Sequence, residues 1–478
     1  MDSYYYYVGG EFRCGKQKYE VINPANEDKF AFFFETDSED LSYALEKAKL
    51  AQKEFSLFSF KERAKVLRDI ANVIFDNVSK LAELETKQIG KPLKESLLVD
   101  IPLGADCFNY YASFVESLEE NYVYTLTGID LIKYEPFGVV GVYLPYNVPL
   151  MIFGFSCAPA LAGGNALIVK PSEYGCLSIL ELAKYLDRLD IPKGLINIVS
   201  GRGDKIGKLI AQSDIELISF TGSRKTFEKI TKEMVDYPKK TICELSGCNL
   251  SLVFSDADIE KALKNILASS FIKQGQMCIG TSLILVEEGI YDSFIKKLVD
   301  DTKRLNLSDP SLPETNMGPL PTLEHLRNIH SKVKEMKSKS GRILWGGEIL
   351  NRKGYFYPPT VIEVNEIVYE EFFGPVVLVK SFKDRGEIEE IIQLNPTGLV
   401  LQIWTKDLIY AYKLSQLAKY GTIWINSFAQ MDASTPFGGM KKSGWGRNLG
   451  KWGFFEYTQP KHIGIGLKDT PVSGWFGT

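Results

Sequence analysis

Histidine is scarce in this chain: only His325, His330 and His462 occur among 478 residues, and none lies near another ligand type in sequence. A histidine-based metal centre and a serine–histidine–aspartate triad are therefore not expected. No apolar run approaches the roughly 20 residues that a membrane span needs. The first residues, MDSYYYYVGGEF, carry neither a basic start nor an apolar stretch, so no signal peptide is expected. There is no large basic block. The 56 Lys and Arg stand against 60 Asp and Glu, for a net charge of −4, which leaves nucleic acid without an electrostatic foothold. The main lysine group, Lys332, Lys334, Lys337 and Lys339 with Glu335 among them, falls in a helical pattern and reads as a solvated face. The seven cysteines, Cys14, Cys107, Cys157, Cys176, Cys243, Cys248 and Cys278, are scattered and form no CxxC pair. That argues against a disulfide framework or a zinc site and for a reducing, cytoplasmic setting.

What is present is length and alternation. A chain of 478 residues exceeds one ordinary core, so two or three domains are expected. Residues 5–36 look like short strands broken by turns. Residues 38–120 read as helices, with Ser38 as the capping hydroxyl ahead of Glu39 and Asp40, and a stop at Gly90-Lys91-Pro92. From about residue 132, β-branched runs (PFGVVGVYLP, NALIVKP, LINIVSG, IELISFTGS) alternate with helical segments. A second such series follows: LSLVFS, TSLILV, GRILWGG, VVLVKSF, GLVLQIWT and GTIWIN. The pattern predicts an α/β protein with two doubly wound, mostly parallel sheets and a ligand cleft between them.

Two turns have the shape of anion-binding loops. In LINIVSGRGDKIG a strand runs into Gly201, Gly203 and Gly207, although the third glycine has the wrong spacing for the usual dinucleotide fingerprint. In ELISFTGS a strand meets a helix at Thr221-Gly222-Ser223, which offers free N–H groups and a hydroxyl. Three further residues have chemistry to offer. Cys278 follows Gly275 in FIKQGQMC; a thiol at a helix start or in a nest of N–H groups has a lowered pKa. Glu244 stands in CELSG, and Asn147 stands between two prolines in LPYNVPL. Singly, each also reads as an inert buried thiol, an acid at a strand end and a turn residue.

Together they are specific. From about residue 7 to 463 the sequence resembles the aldehyde dehydrogenase superfamily, through INPA, GKP, PFGVVGVYLPYNVPL, GGNALIVKPSE, FTGS, ELSG, GQMC, GPL, YPPT, EFFGPV, GTIWIN and PFGGMKKSGWGR in family order. The resemblance implies a thiohemiacetal and then a thioester on Cys278. It also implies oxyanion binding by Asn147 and the Cys278 N–H, hydride transfer to NAD(P), and hydrolysis with Glu244 as general base. Members that pass the acyl group to coenzyme A typically lack this glutamate, so a free acid is expected. The alternatives are a coenzyme A-acylating enzyme, an esterase-like one and a non-catalytic descendant of the fold. Lys170 and Glu173 resemble the pair that holds the adenosine ribose, which favours NAD while leaving NADP open, since Arg224 lies nearby. Gly203, Gly222 and Ser223 resemble phosphate contacts, and Glu371 and Phe373 those of the nicotinamide half. No metal is implied.

The expected pocket is Val148, Ile152, Phe155, Met277, Ile279, Phe428 and Phe437. Ser156 stands where members specific for acidic aldehydes usually carry arginine, which points to a neutral aldehyde, while Asp432 near the entrance would favour a cationic one. The family architecture implies a cofactor domain at 1–120 and 137–245, a catalytic domain at 246–443, and a β oligomerisation arm at 121–136 and 458–478. A homodimer or homotetramer follows, with Trp475 and Phe476 docking on a neighbour. Several positions depart from the usual motif. Tyr146 replaces tryptophan and Lys273 replaces asparagine. Ser246 and Cys248 replace glycine and lysine, Leu283 an arginine and Asn448 a glutamate.

Overall fold

The computed structural model describes residues 1–119, 121–234, 238–339 and 341–468. Trp475 and Phe476 lie outside the described residues.

The N-terminal helices form where the apolar period places them, at Ser38–Ser56, Phe60–Asp76, Val78–Ile89 and Ile101–Glu116. The first cap is one residue earlier than expected. Asp37, not Ser38, accepts the Asp40 N–H, because a carboxylate also complements the positive end of the helix. Ser59 and Glu62 form a reciprocal capping box on the second helix. The third ends at Gly90, in the left-handed conformation.

Two parallel-rich sheets carry the molecule. In the first, Lys240–Leu245, Leu217–Gly222, Val139–Leu144, Ala166–Pro171 and Ile196–Ile198 run parallel in that order. Tyr6–Val8 and Glu11–Arg13 add to one edge, and Gly444–Trp445 to the other. Every residue of Val139–Leu144 and Ala166–Pro171 is buried, which is why those runs are apolar but for Lys170 instead of alternating. In the second sheet the order is Gly341–Trp345, Thr360–Val364, Val376–Phe382, Thr281–Glu287, Asn249–Val253, Val400–Trp404 and Thr422–Ile425. Only the Gly341–Trp345 pairing is antiparallel. A separate antiparallel sheet joins Asn121–Tyr124, Gly128–Pro136 and Thr458–Gly466. No helix among the described residues is long and apolar enough to cross a membrane.

Candidate active site

Parallel strands deliver their ligand-binding groups at their carboxyl ends. Thr221 and Glu244 are direct partners there, on Leu217–Gly222 and Lys240–Leu245. Val139–Leu144 leads into Pro145-Tyr146-Asn147, and the buried helix Pro149–Ala162 follows with proline in its first turn. From the other side comes the loop before Thr281–Glu287. It turns at Ile272–Gly275, where Lys273 and Gln274 adopt φ of 53° and 56°. Gly275 also has positive φ, and a Cβ there would lie 2.1 Å from the Gly374 carbonyl oxygen, so only glycine lets this loop meet the EFFGPV segment.

These pieces enclose a cavity of about 330 Å³ lined by Asn147, Val148, Ile152, Gly222, Ser223, Glu244, Cys278, Glu371 and Phe373, among others. A small adjoining cavity is lined by Ile152, Phe155, Phe437 and Asn448, again with Glu244 and Cys278. The three residues singled out for chemistry thus share one space. Met277 and Ile279 flank Cys278 and are buried, but they line neither cavity; nor does Phe428, which packs edge-on against Trp424.

Cys278 is not at a helix start. It sits in a turn closed by the Gly280 N–H donating to the Met277 carbonyl, and Asn249 Nδ2 grips the Cys278 and Gly280 carbonyls at 2.7 and 2.9 Å. The expected lowering of its pKa is overturned. Burial, then the Glu244 and Glu371 carboxylates, push the thiol up to about 12, and the N–H groups of Ile279 and Cys278 offset only part of this. Glu244 is buried with no well-formed hydrogen bond on either oxygen, and burial holds it well above the usual carboxylate range despite the pull of Arg447 and of the Gly439 N–H. Asn147 donates one N–H to the Gln276 carbonyl at 2.7 Å.

Glu371 is pushed up to about 7 by burial, against a 2.5 Å hydrogen bond donated by the Ser246 hydroxyl. Ser223 caps the helix Arg224–Glu233 and is exposed on the cavity rim. Lys170 and Glu173 pair at 3.2 Å beside Gly203, whose N–H donates to Glu173 at 3.2 Å. Burial alone would raise the Glu173 carboxyl; Lys170 and backbone N–H groups outweigh it and hold the group below its usual value. Gly203 opens a π-helical turn, so its N–H is engaged by this carboxylate.

Sequence reasoning missed several cavity residues. Lys332, read as part of a solvated face, lines the cavity and donates to Glu370 and to the Glu371 carbonyl at 2.6 and 2.7 Å. His325 and Asn328 line it too, and His325 stacks edge-on against Tyr146 and Tyr174. The helical periodicity of Leu323–Lys339 holds the signal: His325, Asn328, Ile329 and Lys332 are spaced for one face. Among the described residues, no group of three or more His, Cys, Asp or Glu is placed to hold a metal ion.

Comparison with known proteins agrees with this geometry. The model of the aldehyde dehydrogenase family matches residues 12–463. A betaine aldehyde dehydrogenase of Bacillus subtilis (strain 168) is 35% identical over 489 residues, covering 99% of each chain. The NAD+ complex of an aldehyde dehydrogenase from Bacillus cereus superposes with a TM-score of 0.95 at 30% identity, over 98% of this chain and 97% of that one. A betaine aldehyde dehydrogenase from Staphylococcus aureus, in complex with NAD+, gives 0.95 at 33% identity, over 99% and 96%. The chain belongs to the aldehyde dehydrogenase family, enzymes that oxidise aldehydes with a nicotinamide cofactor.

Proposed function

We propose that this enzyme oxidises a small, positively charged aldehyde to the free acid with NAD, carrying the acyl group on Cys278. The supporting observation is the convergence of Cys278, Glu244 and Asn147 on one cavity, with neither Glu244 oxygen held by a well-formed hydrogen bond. The Cys278 sulfur adds to the aldehyde carbon as its proton passes to Glu244. The second Asn147 N–H and the Cys278 N–H bind the developing oxyanion. NAD, when bound, supplies the hydride acceptor. Glu244 then gives the Cys278 proton up to solvent, takes another from the water that adds to the thioester, and returns it to the Cys278 sulfur as the acid leaves. A carboxylate kept bare beside the thiol suits hydrolysis better than transfer to coenzyme A.

Lys170, Glu173 and Gly203 would hold the adenosine ribose, Gly222 and Ser223 the pyrophosphate, and Glu371 with Phe373 the nicotinamide half. Glu173 is held ionised, which disfavours the 2′-phosphate of NADP. Arg224 is engaged by Glu228 at 2.8 Å, so it offers NADP little compensation. The cationic preference draws on the two betaine aldehyde dehydrogenase relatives and on the negative charge of Asp432 in the loop before Phe437; Asp106, raised chiefly by burial, also feels that charge. The first sheet would form the cofactor domain at 1–120 and 137–245, and the second the catalytic domain at 246–443. The arm at 121–136 and 458–478 would pair subunits into a homodimer or homotetramer through exposed Tyr122, Tyr124, Leu126 and Ile465.

The test is NADH formation with trimethylammonio-, amino- and neutral aldehydes of matched length, without coenzyme A, for wild type, Cys278→Ala and Asp432→Asn. Cysteine-dependent turnover fastest on the cations, with Asp432→Asn raising KM for those alone, is expected. Equal kcat/KM for neutral and cationic aldehydes overturns the substrate class, and full activity of Cys278→Ala overturns the chemistry.

A further inference from the structure

Beneath the site lies a cluster of charged side chains that the chemistry above does not use. Lys91 and Asp100 have no exposed surface, and Glu85, Lys273 and Glu95 are at most 8% exposed. Burying so many charges is costly unless each is paired. Lys91 Nζ lies 2.6 Å from Glu85 and 2.8 Å from Asp100 Oδ2. Lys273 Nζ lies 3.0 Å from the other Asp100 oxygen, and the Lys273 N–H donates to Glu95 at 3.1 Å. Burial pushes Glu95 up to about 7, against the pull of the Lys273 and Lys91 charges.

Both lysines also reach the site. Lys91 Nζ donates to the Asn147 carbonyl at 3.2 Å. The Lys273 carbonyl accepts the Gln276 N–H at 3.0 Å, and the Gln276 carbonyl accepts the Asn147 amide at 2.7 Å. Contacts therefore close a ring: Asp100, Lys91, Asn147, Gln276, Lys273 and back to Asp100. Tyr146 braces it through its hydroxyl, which donates to Gln276 Oε1 at 2.8 Å.

We propose that this ring is a positioning device, with Asp100 and Lys273 as positioning residues that set the Asn147 amide against the Cys278 turn. It rests on the reading of Asn147 as oxyanion donor and Cys278 as nucleophile. Lys273 stands at positive φ, a costly place for a long side chain, and the ion pair to Asp100 is what holds the turn there. A misplaced donor costs turnover more than substrate binding, because the oxyanion exists only as the reaction proceeds.

The test replaces Lys273 by asparagine, which tolerates positive φ better than lysine does and leaves Asp100 still paired with Lys91. Asp100→Asn is the second variant, cutting the ring at its other member. For each folded variant kcat should fall about tenfold or more, with KM for the aldehyde and the NAD dissociation constant from fluorescence titration within about threefold of wild type. The pH profile of Cys278 alkylation should also move upward, because the thiol loses its register with the N–H groups of its own turn. A purely structural role would lower Tm without moving the alkylation profile or splitting kcat from KM. The proposal is overturned if the folded variants keep kcat within about twofold of wild type, or if lost activity tracks lost folded protein alone. Cys278→Ala, which leaves no nucleophile at this position, is run in parallel. If it turns over, the nucleophile reading has failed; if it is inactive and both ring variants behave as wild type, only the ring proposal has failed.

Discussion

Replacing Glu244 by glutamine keeps the side-chain volume and removes the base. In the native site neither carboxylate oxygen has a well-formed hydrogen bond, so no pairing is broken by the change. Removing a positioned base from a proton-transfer step costs about 10²- to 10⁴-fold. Thioester hydrolysis should bear that loss, because its attacking water must give up a proton. Acylation needs no water but loses the acceptor of the Cys278 proton, so rapid mixing with aldehyde and NAD should give a slowed first turnover of NADH followed by a still slower steady state. Wild-type steady-state turnover should fall as pH drops through the raised Glu244 value, and the variant should lack that limb. Stability supplies a second reading. The native carboxyl keeps its proton at pH values where the unfolded chain, with this group near its ordinary 4.5, has lost it. Its contribution to stability is therefore complete below that ordinary value and is lost as pH rises through the native one. The loss is about 1.4 kcal/mol for each pH unit that separates the two. Glutamine has no such loss, so the variant should melt above wild type at mildly alkaline pH, with the gap closing on acidification. A variant that turns over at the wild-type rate refutes the assignment of Glu244 to hydrolysis. A variant less stable than wild type at alkaline pH refutes the electrostatic reading.

Iodoacetamide should alkylate Cys278 of the ligand-free enzyme slowly at neutral pH, rising about tenfold per pH unit into the alkaline range; a plateau near neutrality would show a thiolate already formed. Gly275→Ala should destabilise the protein by about 3 kcal/mol or more, measured by urea unfolding, since its Cβ meets the Gly374 carbonyl oxygen at a positive φ; unchanged stability would mean the two loops separate freely. Glu173→Gln should raise kcat/KM for NADP relative to NAD by about tenfold, and an unchanged ratio would remove this carboxylate from cofactor selection.

The α/β alternation is legible because buried parallel strands such as Val139–Leu144 and Ala166–Pro171 are largely apolar, with Lys170 the one charged residue in the two. The strands Lys240–Leu245 and Thr360–Val364 are not. The first opens on lysine and threonine and carries Glu244 itself, and the second carries Glu363 near its end, so neither reads as a clean run. The chemical residues are legible through ordered motifs, but their electrostatics are not. The Cys278 pKa depends on Glu244 and Glu371, which lie 34 and 93 positions away in sequence and come close only in the fold. Lys332 and His325 are hidden for the same reason: a lysine-rich helix looks solvated until the helix is seen to turn one face into a cavity.

Those distant contacts give the resting site a definite character. Cys278, Glu244 and Glu371 all have raised pKa values, and each carboxylate raises the thiol further, so the ligand-free cavity holds its protons and carries little charge. Forming a free thiolate near pH 7 from a thiol at about 12 costs about 7 kcal/mol. A cationic group 4 Å away at an effective dielectric of 20 returns about 4 kcal/mol. A cation in the cavity therefore covers only part of the cost. The remainder is lowered once Glu244 has given its own proton to solvent, because the ionised carboxylate is a strong base where it lies and can take the Cys278 proton. The two groups then titrate as a coupled pair. The same burial that makes the thiol inert at rest makes the ionised Glu244 a strong acceptor, first of the Cys278 proton and, once that proton has left to solvent, of one from water.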